Sequence, residues 1–243
     1  LFKTKEAWNI TRNTLGYNII FIVLGTVIAI AIAILLNEIK VMAMKKTYQT
    51  IILLPYLISM VVVSYLVYAL LSSESGFINL SILRPLGKPE IAWYTEPKYW
   101  PAILIIANCW KGVGYGCLIY IASLIGIDPS FYEAARLDGA SKWQQILHVT
   151  LPNLRTMIAI LFILNVGKIF NADFGLFWNV PMQNGALFSV TQVIDTYIYR
   201  VLMNTGNIGQ STAAGLLQNI VGFICIIGAN AVVKKIDSDS TLF

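Results

Sequence analysis

Trp110-Lys111-Gly112-Val113-Gly114-Tyr115 puts an ammonium, two aromatic rings and side-chain-free backbone into one apolar run. An ionisable side chain inside such a run is costly, and it usually faces a cavity or an internal partner. The chemistry on offer is recognition: the ammonium donates to hydroxyls or balances an anion, and the rings present faces for stacking. Lys168 is a second cation of this kind. For both lysines the competing role is internal, the stem snorkelling or the ammonium pairing within the protein, Lys168 with Asp173. Covalent chemistry finds no support. Cys109, Cys117 and Cys225 lie in apolar runs without a disulfide framework or CxxC spacing. His148 is the only histidine, and it reads as structural or partner-facing. No Ser/His/Asp set, metal cluster or carboxylate pair can be assembled. There is also no Gly-x-x-x-x-Gly-Lys-Ser/Thr loop, so this chain is not an ATPase.

A second kind of chemistry, docking, is written in the polar island from Asp128 to Pro152, which has apolar runs on both sides. Two short helices are expected in it. Asp128 caps the first, with Pro129 in its first turn. Gly139 stops it as a left-handed cap. Ser141 caps the second, and Gln144 three residues on completes a capping box. A helix–turn–helix between membrane spans implies a partner outside the membrane that grips it.

The elements that must position these residues are membrane spans. Of 243 residues, 57% are hydrophobic and 12% charged, against about 25% charged in an ordinary soluble protein; mean hydropathy is +0.71. The net charge of +5 is spread between spans, which argues against a nucleic-acid surface. One transmembrane domain over residues 1–243 is expected, with spans at about 14–36, 50–71, 100–125, 156–177 and 213–233. Each is near the roughly 20 residues that cross the hydrocarbon core. Asn13 or Thr14 is expected to cap the first, and Pro55 to kink the second. Trp93, Tyr94, Tyr99 and Trp100 look like an interfacial aromatic belt. Val190, Ile194, Tyr197, Ile198 and Val201 fall at helical spacing, as in an amphipathic helix at the interface. Cations divide eight to seven between the two sides; the clusters Lys40, Lys45, Lys46 and Lys234, Lys235 favour a cytoplasmic island and C-terminus. Leu1 is not an initiator, and the chain is expected to begin part-way through the natural protein.

The island resembles the EAA loop of type I ABC importer permeases. The residues that carry this are Glu133-Ala134-Ala135, Gly139 six residues after the Glu, and Leu151-Pro152 twelve after the Gly, with Tyr132 and Leu137-Asp138-Gly139-Ala140 around them. From about residue 10 onward the chain is similar to the oligosaccharide-uptake branch, especially its polysaccharide-type permeases. Leu35-Leu36-Asn37-Glu38, Ile125-Gly126-Ile127-Asp128-Pro129 and Val193-Ile194-Asp195-Thr196-Tyr197-Ile198-Tyr199-Arg200 support that branch. The resemblance implies an all-α polytopic membrane fold with six spans, so that one span precedes the five visible here, and a loop on the cytoplasmic side of the bacterial inner membrane.

What the resemblance implies for residues follows. Tyr132, Glu133, Ala134, Ala135, Asp138, Gly139, Leu151 and Pro152 couple to a partner ATPase. Small Ala134 and Ala135 admit a close surface and Glu133 offers a carboxylate; the other role for Glu133 is an ion pair with Arg136. Gly112 and Tyr115, with Trp110 and Lys111 adjacent, line a sugar site, together with Asn165, Lys168 and Ile169 on the next span. Asn165 matches the family in type; Lys168 and Ile169 depart from its aromatic and amide pattern. Sugars stack C–H faces on rings and bond hydroxyls to amides and ammonium groups, and Lys111 and Lys168 would suit a uronic acid. Asp195, Tyr197 and Arg200 either seat an extracellular binding protein or form a local charge pair. The implied function is that of a permease subunit, not an enzyme, in an ATP-driven, binding-protein-dependent importer of oligosaccharides. The implied partners are a second homologous permease in a pseudo-twofold heterodimer, two ATPase subunits holding ATP and Mg, an extracellular binding lipoprotein, the oligosaccharide and the bilayer. This chain binds no cofactor in that scheme. The alternatives are the same importer carrying an amino acid, peptide or anion, and a polytopic membrane enzyme.

Overall fold

Backbone N–H and C=O groups find no water inside a bilayer, so a membrane chain must satisfy them within helices or a closed barrel, and long unbroken apolar runs such as these do so as helices. The structure, a computed structural model, describes residues 5–206 and 208–236. Its helices are α1 (Lys5–Asn37), α2 (Met42–Leu57), α3 (Met60–Leu71), α4 (Trp100–Ile125), α5 (Pro129–Leu137), α6 (Lys142–Gln145), α7 (Leu151–Gly167), α8 (Phe174–Asn179), α9 (Phe188–Thr191), α10 (Ile194–Thr205) and α11 (Ile208–Ile236). Among the described residues, four segments are long and apolar enough to cross a membrane: Glu6–Asn37, Pro97–Ile125, Lys142–Gly167 and Ser211–Lys235. A fifth is obtained if α2 and α3 together make one broken span.

Several boundaries differ from those read in the sequence, each for a physical reason. The first helix begins at Lys5, and Asn13 and Thr14 lie inside it rather than capping it. The Thr14 hydroxyl donates to the carbonyl of Ile10 (2.8 Å) and accepts from the N–H of Ile194 (3.0 Å), so these polar groups serve another segment. The second span is not merely kinked at Pro55, which sits within α2; it breaks at Ile58–Ser59, where the Ser59 hydroxyl caps α3 by accepting from Val62 N–H. The fourth span does not run over 156–177. Helical structure is continuous from Lys142 through a π turn at Ile146–Thr150 into α7, which ends at Gly167. Beyond it the chain turns, with Asn171 N–H on the carbonyl of Lys168 (2.8 Å). Asn18 then takes the carbonyls of Ile169 and Asn171, at 2.7 and 3.3 Å, and Asp173 caps α8. The last helix, Ile208–Ile236, overshoots the 213–233 expected for it, and the helix expected over 190–201 is α10, starting at Ile194.

Two units are distinguishable. One comprises Leu1–Phe21, Leu57–Lys111 and Lys168–Phe223. Its core is aromatic and branched: Tyr17, Val63, Trp100, Leu104, Leu176, Phe177, Val180, Leu187 and Val193 are all buried. Trp100 is fully enclosed, and its indole N–H donates to the carbonyl of Trp93 at 2.7 Å. The polar stripe of α1 holds the 189–194 stretch of this unit: Asn13 donates to the carbonyls of Ser189 and Gln192, both at 3.1 Å, and the Tyr17 hydroxyl to that of Val190 at 2.9 Å.

The other unit comprises Ile22–Tyr56, Gly112–Gly167 and Ile224–Phe243. Here the core is built on small residues, Ala29, Ala33 and Cys117, with Leu36, Tyr120, Ile121, Leu124 and Leu154 around them. Small side chains let helices approach closely where lipid supplies no hydrophobic drive between them. The closest approach is at Gly114, where a Cβ would stand 2.2 Å from the carbonyl oxygen of Ile52.

Candidate functional site

The island is held by local signals. Asp128 accepts from Ser130 N–H at 2.9 Å and Pro129 opens α5. This bond holds the Asp128 carboxyl below its ordinary range. Gly139 takes φ +78°, and the Ala140 N–H reaches back to the carbonyl of Ala135 at 2.9 Å, closing the helix as a Schellman turn. Ser141 and Gln144 form the reciprocal capping box. The second island helix does not stop, however; it leads into α7. Pro152 has no N–H for the carbonyl of His148, and the π turn precedes it, with Leu151 N–H bonded to Ile146. Asn153 covers the carbonyl of Val149 at 2.7 Å. His148 bonds the Gln144 carbonyl through Nδ1 at 3.0 Å, which makes it a helix residue.

α5 turns an apolar face outward. Phe131, Ala134 and Leu137 follow at three-residue spacing and are exposed, Leu137 at 89%, and Trp143 on α6 is exposed as well. Glu133 and Asp138 are also exposed and Ala135 is half-buried. Glu133 forms no ion pair with Arg136; the ion pairs among the described residues are Arg84–Glu90, Lys98–Glu96 and Lys142–Glu38. The back of the hairpin is anchored. The Tyr132 hydroxyl meets that of Thr150 at 3.1 Å, and the Lys142 ammonium meets Glu38 at 2.6 Å. A cavity of about 370 Å³ lies there, lined among others by Glu38, Lys40, Tyr132, Glu133 and Arg136.

The recognition residues separate on inspection. The Lys111 ammonium donates to the carbonyl of Ile58 at 2.6 Å, at the break after α2. Trp110 is exposed. A Cβ at Gly112 would meet nothing within 4 Å, so this glycine leaves open space. Tyr115 stacks on Tyr56, ring centroids 4.8 Å apart and planes at 14°, and both rings are about half exposed. Asn165 is exposed on α7, whereas Lys168 and Ile169 lie beyond its end, Lys168 exposed and without an ion pair to Asp173 among the described residues.

Asp195 and Arg200 do not pair with each other. Asp195 accepts from Ala172 N–H at 2.7 Å and from Gln218 at 3.4 Å; burial pushes its carboxyl up, partly offset by these bonds. Arg200 donates to Gln183 at 2.9 Å and lies over the Phe188 ring at 4.0 Å. Tyr197 lines an apolar cavity of about 240 Å³ with Ile10, Ile194 and Leu217. All three residues therefore have internal work in packing this region.

Residues 22–217 match the family described as binding-protein-dependent transport system inner membrane component. The chain belongs to this family. It is a transport component of the inner membrane and not an enzyme. Protein LplB of Bacillus subtilis is 31% identical over 98% of this chain and 74% of its own. The polygalacturonan/rhamnogalacturonan transport system permease protein YteP of the same organism is 31% identical over 97% and 72%. A solved bacterial ABC transporter involved in the import of the acidic polysaccharide alginate superposes with a TM-score of 0.91 at 31% identity, over 97% of this chain and 82% of that one. The all-α importer permease fold is thus established for this permease.

Three features of the permease were not read in the sequence. Tyr56 follows Pro55 in an apolar run, and the aromatic ring beside a helix-breaking residue was the available signal. Asn13, Thr14, Tyr17 and Asn18 recur at helical spacing, which marks a polar stripe rather than a cap. Of Gly112, Gly114 and Gly116, Gly114 is the one whose position requires the absence of a side chain, and the sequence does not distinguish it from the other two.

Proposed function

We propose that this permease is one of two homologous membrane subunits of an ATP-driven importer of oligosaccharides, fed by an extracellular binding protein. Two partner ATPase subunits hold ATP and Mg and grip the island, which lies with the C-terminus on the cytoplasmic side. The observation that carries the reading is the outward apolar face of α5, Phe131, Ala134 and Leu137, on a hairpin whose back is anchored. A rigid hairpin with an exposed apolar face suits a macromolecular partner. Tyr132, Glu133, Ala135, Asp138, Gly139, Leu151 and Pro152 shape that handle. ATP-driven rocking of the paired subunits then opens a central route to each side in turn.

For the cargo, the stacked pair Tyr56–Tyr115 supports a sugar ring face, with Gly112 and Asn165 as further contacts. Lys168 and Ile169 lie past the end of α7, and exposed Lys168 suits a carboxylate. That favours an acidic oligosaccharide, in keeping with the names of YteP and of the alginate importer. Asp195, Tyr197 and Arg200 brace the segment that meets the binding protein, whose counterpart in a solved alginate transporter is a periplasmic protein bound to an alginate pentasaccharide.

The test is reconstitution of the assembled transporter with its cognate binding protein and a panel of neutral and uronic oligosaccharides, amino acids and phosphate. ATP-dependent uptake of an oligosaccharide, reduced by Tyr115→Ala and Tyr56→Ala, is expected. Uptake of amino acids or phosphate alone overturns the cargo. Failure of any ATPase to co-purify overturns the assembly.

A further inference from the structure

Lys111 lies fourteen residues from each end of the apolar segment Pro97–Ile125. At 1.5 Å rise per residue its Cα is about 21 Å from either end, beyond the reach of a snorkelling stem. Its ammonium needs a partner within the protein or in a water-filled cavity, and it donates to the carbonyl of Ile58. That carbonyl is a costly one to leave alone. α2 ends at Leu57, and the last carbonyls of a helix have no N–H above them. On the other side of the break the Ser59 hydroxyl already serves α3, accepting from Val62 N–H at 3.3 Å. A cation at the C-terminal end of a helix also meets the negative end of its dipole.

We propose that Lys111 is a positioning residue: its ammonium pins the broken α2–α3 segment at Ile58. The break is costly in a membrane without a donor, and the ammonium supplies one. This role is independent of which solute is carried.

The test uses the assembled transporter in proteoliposomes, with Lys111→Met, Lys111→Arg and Lys111→Gln. Two quantities are read: hydrogen exchange of the amides of residues 58–63, and the KM and maximal rate of uptake. Loss of a charge-assisted bond is expected to speed exchange about ten- to a hundredfold in Lys111→Met. The maximal rate falls while KM holds, and Lys111→Arg restores both readouts in large part. Unchanged exchange in Lys111→Met overturns the assignment, and a raised KM with native exchange makes the lysine a substrate contact instead. If Lys111→Met fails to assemble, Lys111→Gln is compared with Lys111→Arg: faster exchange in the glutamine variant supports the pin, and equal exchange overturns it.

Discussion

Asn79 is fully buried in the segment between α3 and α4 and uses both ends of its amide. Its Oδ1 accepts from Ile91 N–H at 3.3 Å and from the Trp93 indole at 3.0 Å, and its Nδ2 donates to the Ile91 carbonyl at 2.9 Å. Asn79→Leu keeps the branching and the number of side-chain heavy atoms and removes all of these bonds. It should destabilise the protein by about 2 kcal/mol, read as a lower thermal midpoint in detergent. Gly114→Ala should cost about as much, because the added Cβ would stand 2.2 Å from the Ile52 carbonyl and α2 would have to move. Asp195 gives a pH signature. Burial favours its neutral acid in the folded state, so its support is greatest below the ordinary value of 3.8 and is lost as pH rises through the raised folded value. Asp195→Asn keeps an acceptor for Ala172 and should flatten that slope in melting curves, whereas Asp195→Ala should lower the midpoint at every pH.

At the scale of elements, the island hairpin depends on one backbone geometry. Gly139 at φ +78° allows α5 to close and Ser141 to open the next helix. A β-branched residue there is strained by about 1–2 kcal/mol. Gly139→Val is therefore expected to leave the spans helical by circular dichroism while the ATPase no longer co-purifies; retention of a full complement of ATPase would show that the hairpin geometry is unimportant for docking. The caps at Asp128 and Ser141 were legible because each joins residues within three positions of one another. The ends of spans were less legible. Apolar composition continues to Phe177, yet α7 stops at Gly167, because Asn18 and Asp173 offer the following backbone other partners. Hydropathy does not register that competition.

For the whole molecule, the proposed orientation puts the 72–99 segment outside and the island inside. With Cys109, Cys117 and Cys225 replaced, an impermeant thiol reagent applied to right-side-out membranes should label Ser81→Cys and spare Ser141→Cys, both of which are exposed positions. The reverse pattern would invert the topology. The mirrored result in inside-out vesicles, with Ser141→Cys labelled and Ser81→Cys spared, would complete the case.

Sequence alone determined the membrane-spanning character, the capped hairpin and the spacing from Glu133 through Gly139 to Pro152, since apolar length, capping and turn chemistry act between near neighbours in the chain. It also singled out Lys111, Tyr115 and Asp195 as side chains that need a reason to be where they are. Their partners came only from the tertiary structure: Ile58 for Lys111, 53 positions away; Tyr56 for Tyr115; Ala172 and Gln218 for Asp195. The stripe on α1 reaches further still, Thr14 meeting Ile194 across 180 positions. A buried polar group must be bonded, which the residue type announces, but which distant carbonyl accepts from it depends on how the helices pack.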